Sequence, residues 1–108
     1  MDQERRTIVI DLDGVIARIS DNLDYSNSDV VVGAKEALEE LKRRGWIIVL
    51  FTARHFNHLG TTKIWLERNK IPYDHLVMGK PTARYYIDDR AIEFRGDWGA
   101  VIERVCSP

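Results

Sequence analysis

Short apolar runs alternate along this chain with stretches in which apolar residues recur at helical spacing. Thr7-Ile8-Val9-Ile10-Asp11-Leu12 is β-branched and almost continuously apolar, the pattern of a strand covered on both faces and central in its sheet. After Gly33, Ala34, Ala37, Leu38 and Leu41 return every three or four residues, while Lys35, Glu36, Glu39, Glu40, Lys42 and Arg43 take the other face. That spacing predicts an amphipathic helix closed by Gly45. Glu39 with Arg43, and Glu40 with Arg44, stand four apart, where opposite charges support a helix. Trp46-Ile47-Ile48-Val49-Leu50-Phe51 predicts a second buried strand, which breaks off at Thr52-Ala53-Arg54. Thr61, Thr62, Trp65 and Leu66 share one face of a further helix, which Pro72 ends near Lys70. Short strands over 76–78 and 85–88, an extended piece over 91–94, and a helix over 98–105 capped by Asp97 complete the pattern.

Strands alternating with helices in this order predict right-handed crossovers and a small doubly wound α/β fold, Rossmann-like, with a parallel sheet and helices on both faces. The 108 residues make one domain, 1–108, with no internal repeat, linker or low-complexity tract. Lys and Arg number 16 against 17 for Asp and Glu, a net charge of −1. This balance lacks the basic footprint of a nucleic-acid binder or of a protein attracted to anionic membrane. The one cysteine, Cys106, has no partner within the chain, which fits a reducing cytoplasm. The apolar run that follows the first six residues is too short for a signal peptide or a membrane helix, so the expected compartment is cytoplasmic.

In folds of this kind ligands gather at the carboxyl ends of the strands. Four stations there carry reactive or charged groups: Asp11 with Asp13, Thr52, Lys80 after a glycine, and Asp88 with Asp89. Asp11-Leu12-Asp13-Gly14 sets two carboxylates two residues apart, and its glycine frees the backbone to turn beneath a ligand. Four converging carboxylates oppose folding unless a cation joins them. An open, all-oxygen set of ligands suits Mg²⁺, with Lys80 as further positive charge.

At these stations the chain resembles the haloacid dehalogenase (HAD) superfamily of aspartate-nucleophile phosphatases. Asp11-Leu12-Asp13-Gly14-Val15 is similar to its first motif, Phe51-Thr52-Ala53-Arg54 to its second, Gly79-Lys80-Pro81 to its third and Tyr86-Ile87-Asp88-Asp89 to its fourth, in the same order. Ile71-Pro72-Tyr73-Asp74, leading to Gly79-Lys80-Pro81, also resembles small bacterial and phage hydrolases, some associated with polysaccharide biosynthesis. The resemblance implies a Mg²⁺-dependent phosphomonoesterase working through an aspartyl-phosphate. Asp11 would be the nucleophile and Asp13 the general acid and base. Thr52 and the backbone of Ala53 would hold the phosphoryl oxygens, with Lys80 neutralising their charge. The Asp11 carboxylate, the Asp13 backbone carbonyl and Asp88 would bind the metal, with Asp89 beside them as an outer partner.

Arg54 is the candidate for a second anionic group on the substrate, and a salt bridge to Asp89 or to an acid of the flap is the competing role. His55 and His58 read as surface residues, His75 as structural, and Trp46, Trp65 and Trp98 as packing residues. No stretch is long enough for a cap domain. The polar flap over 15–32, with turns at Ser20-Asp21-Asn22 and Ser26-Asn27-Ser28-Asp29, leaves the site open. Such a site needs either a substrate that brings its own cover or closure by a neighbouring subunit. A small-molecule phosphate ester, a sugar phosphate above all, is the expected partner. A phosphoacceptor signalling domain and a non-catalytic binding module are the rival readings. The former places its acidic pair early and its lone phosphorylated aspartate later, the reverse of the order here.

Overall fold

The computed structural model describes residues 5–19 and 24–107, so the turn expected at Ser20-Asp21-Asn22 lies outside the described residues. Three parallel strands, β1 (Thr7–Asp11), β2 (Ile47–Thr52) and β3 (His75–Met78), form one sheet in the order β1-β2-β3, flanked by helices. Helix α1 (Ala34–Arg43) connects β1 to β2, and α2 (Leu59–Arg68) connects β2 to β3 after a single 3₁₀ turn, Phe56–His58. Helix α3 (Trp98–Cys106) follows a long irregular segment. No helix among the described residues is long and apolar enough to cross a membrane.

Helix α1 buries Ala34, Ala37, Leu38 and Leu41, the stripe its spacing predicts. Gly45 takes a left-handed φ of 87°, and Trp46 N–H reaches back to the Leu41 carbonyl, so the helix stops and the chain turns straight into β2. Of the expected helix pairs, Glu40 bonds Arg44 at 2.6 Å and Arg43 at 2.5 Å, which holds its carboxyl below the usual carboxylate range. Glu39 turns instead to Lys35, 2.6 Å away on the preceding turn. In α2, Thr62, Trp65 and Leu66 are buried, whereas Thr61 faces out. Asp97 caps α3 through Ala100 N–H, and Trp98 packs into the core with its indole N–H on the Val15 carbonyl, 2.9 Å away.

Ile10, Leu12, Ile48, Leu50, Leu38, Leu41, Trp65 and Leu66 join in one cluster that covers one face of the sheet. The opposite face is less covered. Ile47, Val49 and Phe51 of β2 are half-buried, and their register neighbours Val9 and Val77 are 58% and 44% exposed.

The sheet differs from expectation in two ways. Among the described residues strand β1 stands at the edge of the sheet and not at its centre, and the strand expected over 85–88 does not form. Residues 81–93 are exposed throughout and hold no helix or strand, and Ile87 is 99% exposed. The cause is chain length. Only residues 79–84 separate β3 from Tyr85, about half of the dozen or so residues that a parallel crossover needs.

Candidate active site

The carboxyl end of β1 is shaped by a tight turn. Ile16 and Ala17 N–H both bond the Leu12 carbonyl at 2.9 Å, and Gly14 N–H bonds the Ala17 carbonyl at 2.7 Å. Gly14 holds a φ of 87°, a left-handed value that disfavours any residue with a Cβ. With Leu12, Ile16 and Ala17 wholly buried, the turn is pinned from below, and Asp11 and Asp13 are presented at its rim. Asp11 accepts Leu12 N–H on Oδ1 at 2.8 Å, and its Oδ2 lies 3.3 Å from Lys80 Nζ.

Lys80 arrives from the other side of β2. Its N–H bonds the Thr52 carbonyl at 2.8 Å, and Gly79 N–H bonds the Arg54 carbonyl at 3.3 Å, so the backbone after β3 is clamped to the end of β2. Its ammonium also lies 4.2 Å from the centre of the Tyr86 ring, whose hydroxyl donates to the Pro81 carbonyl. Thr52 is wholly buried at the end of β2, with Oγ1 3.4 Å from Asp13 Oδ2 while it accepts Arg54 N–H at 3.1 Å. Ala53 follows, exposed.

Arg54 departs from expectation. Its side chain is 0% exposed, so it is withdrawn from any substrate that approaches from solvent. Nε and Nη2 grip both oxygens of Asp13 at 3.0 and 2.7 Å, and Nη1 donates to Thr62 Oγ1 at 3.0 Å. The Tyr25 ring lies against the guanidinium, with its centre 3.9 Å from Cζ, and His58 meets Tyr25 edge-on at 5.0 Å. A planar fork suits this place because it satisfies a bidentate carboxylate, a hydroxyl and an aromatic face at once. Arg54 is thus a salt-bridge residue, but its partner is Asp13 and not Asp89 or a flap acid. Tyr25 was not singled out in the sequence, and Thr62 was read only as part of one face of its helix. A buried arginine calls for partners on its remaining edge and face, but no spacing rule says which residues supply them.

The structure therefore brings Asp11, Asp13, Thr52 and Lys80 to one place and leaves Asp88 and Asp89 on the exposed segment. Asp88 Oδ1 accepts the N–H of Arg90, a local turn contact. Among the described residues no three His, Cys, Asp or Glu side chains form a group that could hold a metal ion. Both oxygens of Asp13 are taken by Arg54, and Asp11 is the remaining carboxylate at the rim. With Asp88 and Asp89 on the exposed segment, a single chain folded in this way does not gather the Mg²⁺ set of Asp11, Asp13, Asp88 and Asp89. His55 and His58 likewise form no metal site; His55 Nδ1 accepts Asn57 N–H at 3.2 Å.

No family model matches this chain, and no curated protein matches it. Among solved structures, a structural-genomics target from Vibrio cholerae is similar over 92% of this chain and 98% of that one, with 26% identity and a TM-score of 0.72. The Pnkp1/Rnl/Hen1 complex contains a chain that is 24% identical over 78% of this one at a TM-score of 0.61, and only 31% of it is spanned. A D,D-heptose 1,7-bisphosphate phosphatase from B. bronchiseptica, crystallised with magnesium and phosphate, is 20% identical over 80% of this chain and 54% of that one, at a TM-score of 0.56. The fold is thus shared with a phosphatase.

Proposed function

We propose that this chain is a phosphomonoesterase of the haloacid dehalogenase type, which transfers a phosphoryl group to Asp11 and then to water. The observation that carries the reading is the pairing of a lysine with the strand-end aspartate. Lys80 lies 3.3 Å from Asp11, and Asp13 stands two residues further along a rigid turn. The order of the four sequence motifs and the fold shared with a bisphosphate phosphatase support it.

Asp11 is aimed by its hydrogen bond from Leu12 N–H and attacks phosphorus. The P–O bond to the leaving alcohol breaks as the departing oxygen takes a proton through Asp13, one of whose oxygens must leave the Arg54 fork to carry it. In the second half a water attacks the aspartyl-phosphate, Asp13 takes its proton, and cleavage of the P–O bond to Asp11 frees inorganic phosphate. Lys80 offsets the charge that would otherwise repel the carboxylate from a phosphate dianion, and the Thr52 hydroxyl is placed to donate to a phosphoryl oxygen. Arg54 holds Asp13 in one orientation, so it is a positioning residue here and not a substrate contact. One chain does not gather the acids to bind Mg²⁺.

Small phosphorylated metabolites, sugar phosphates foremost, are the expected substrates, because the net charge gives no pull toward polyanions. A phosphate-release screen over sugar phosphates, nucleotides and an aryl phosphate tests the reading. Turnover of at least one, abolished in Asp11→Asn, is the expected result. A phosphorylated Asp11 that forms but never turns over would instead make this a phosphoacceptor domain.

A further inference from the structure

The described part of the flap between β1 and α1 is fastened down on two sides. Its arms pair with each other, Arg18 N–H donating to the Asp29 carbonyl and Val31 N–H to the Ile16 carbonyl, each at 2.8 Å. Its second arm is also tied to α2: Trp65 donates its indole N–H to the Ser28 carbonyl at 2.8 Å, and Arg68 donates to the Ser26 carbonyl. Next to these anchors Asp24 builds a tight turn. Its Oδ1 accepts Ser26 N–H at 3.1 Å and the Ser26 hydroxyl at 2.6 Å, and its Oδ2 accepts the Asn27 amide at 2.9 Å. A short acid that captures groups two and three residues further on fixes the backbone without help from a helix or sheet.

Tyr25 stands inside that turn, and its ring faces inward. The ring lies on the Arg54 guanidinium, 3.9 Å from its centre to Cζ, and no hydrogen bond involves the Tyr25 hydroxyl among the described residues. Arg54 is a wholly buried cation, which is stable only where each of its edges and faces meets a group that replaces water. Asp13 takes Nε and Nη2, Thr62 takes Nη1, and the electron-rich face of Tyr25 covers the plane. The two site aspartates also differ in what aims them. Asp11 accepts the backbone N–H of Leu12, whereas the Asp13 carboxylate accepts from side chains alone, Arg54 and Thr52. Whatever orders Arg54 therefore orders Asp13.

We propose that Tyr25 is a positioning residue for the phosphatase reaction: its ring holds the Arg54 fork in place, and the fork holds Asp13 in the orientation from which a proton reaches the departing oxygen. The flap thus serves the proton-carrying carboxylate and not the substrate. With the ring gone, water reaches the guanidinium and competes with Asp13 for its N–H groups. The catalytic consequence rests on the phosphatase reading; the hold on Arg54 has a readout of its own.

Three versions of the full chain test it. Tyr25→Phe keeps the ring and deletes only the unbonded hydroxyl, and Tyr25→Leu removes the ring. A pentafluorophenyl ring in place of the Tyr25 phenol keeps the shape but reverses the charge of the face, so it decides the outcome even if Tyr25→Leu does not fold. Steady-state phosphate release from an aryl phosphate reads the reaction. In Tyr25→Leu and in the fluorinated chain kcat falls about 10- to 100-fold with KM nearly unchanged, and Tyr25→Phe retains the wild-type kcat. Heteronuclear NMR reads the hold on Arg54 without turnover, with the Nε–H signal assigned by its loss in Arg54→Lys. Its exchange with water stays slow in Tyr25→Phe and becomes about tenfold faster or more in the other two. Wild-type kcat in the fluorinated chain, or slow Nε–H exchange there, overturns the proposal and leaves the phosphatase reading standing. Faster exchange in the two altered chains, with no phosphate release from the wild type, upholds the hold on Arg54 and sinks that reading.

Discussion

The two parts of the chain that carry the candidate chemistry are built in opposite ways. The end of β1 and the end of β2 hold Asp11, Asp13, Thr52 and Arg54 on backbone that is paired in register, pinned by buried Leu12 and Ile16, and cross-linked by side-chain bonds of 2.7 to 3.4 Å. Residues 81–93 hold Asp88 and Asp89 on backbone that is exposed throughout. The first region is positioned by the sheet before any ligand arrives. The second has no such support within one chain. A motif's presence in the sequence and its assembly in the fold are thus separate facts, decided here by the length of a connection.

Substitutions can break this contrast, beginning with the largest effect. Asp11→Asn keeps the shape of the side chain and the bond from Leu12 N–H, yet removes the nucleophile. Phosphate release should fall about 10³-fold or more in steady-state assays, with an unchanged melting temperature. Arg54→Met should cost about 3 kcal/mol of stability in urea titration, because it removes a buried cation from Asp13 and Thr62. In Arg54→Lys some stability returns, but one ammonium cannot grip both Asp13 oxygens, so kcat should stay low while KM changes little.

A third effect is smaller. Asp74 ties the start of β3 to β2, accepting Ile48 N–H at 2.8 Å and Lys42 at 2.7 Å, and Lys42 foremost holds its carboxyl below the usual range. A depressed carboxylate contributes stability that is fully present above its unfolded value, near pH 4, and is lost as pH falls through the lower folded value. Asp74→Asn should therefore lower the melting temperature slightly at pH 7, by the equivalent of less than about 1 kcal/mol, and the difference from wild type should shrink below pH 4. Asp88→Asn is the smallest: measured without divalent ions, it should change stability by no more than about 0.5 kcal/mol, as expected of an exposed residue. A large loss there would erase the contrast between the regions.

Much of this was legible in the sequence wherever periodicity and chain geometry act locally. The stripe of Ala34, Ala37, Leu38 and Leu41, the stop at Gly45 and the cap at Asp97 follow from residue-level physics. The same holds for the convergence of Asp11, Asp13, Thr52 and Lys80, since parallel strands align their carboxyl ends. The Arg54 cage was not legible in full, because Tyr25 and Thr62 meet the guanidinium only once the flap and α2 fold back over it. Tyr85-Tyr86-Ile87 misled for another reason. Their strand preference describes how well they fit a half-buried pleated surface, and within this chain no such surface is within reach.

The account stands or falls on Asp11 as the residue that receives phosphate. The direct measurement is to incubate the Asp13→Asn variant, which forms the intermediate slowly but hydrolyses it more slowly still, with an aryl phosphate, quench in acid and map the phosphoryl group by peptide mass spectrometry. The mass of one phosphoryl group on the peptide containing Asp11, absent when Asp11→Asn is added, is the predicted result. Phosphate released from the wild type with no adduct on Asp11, or an adduct on Asp88 or Asp89, would contradict it.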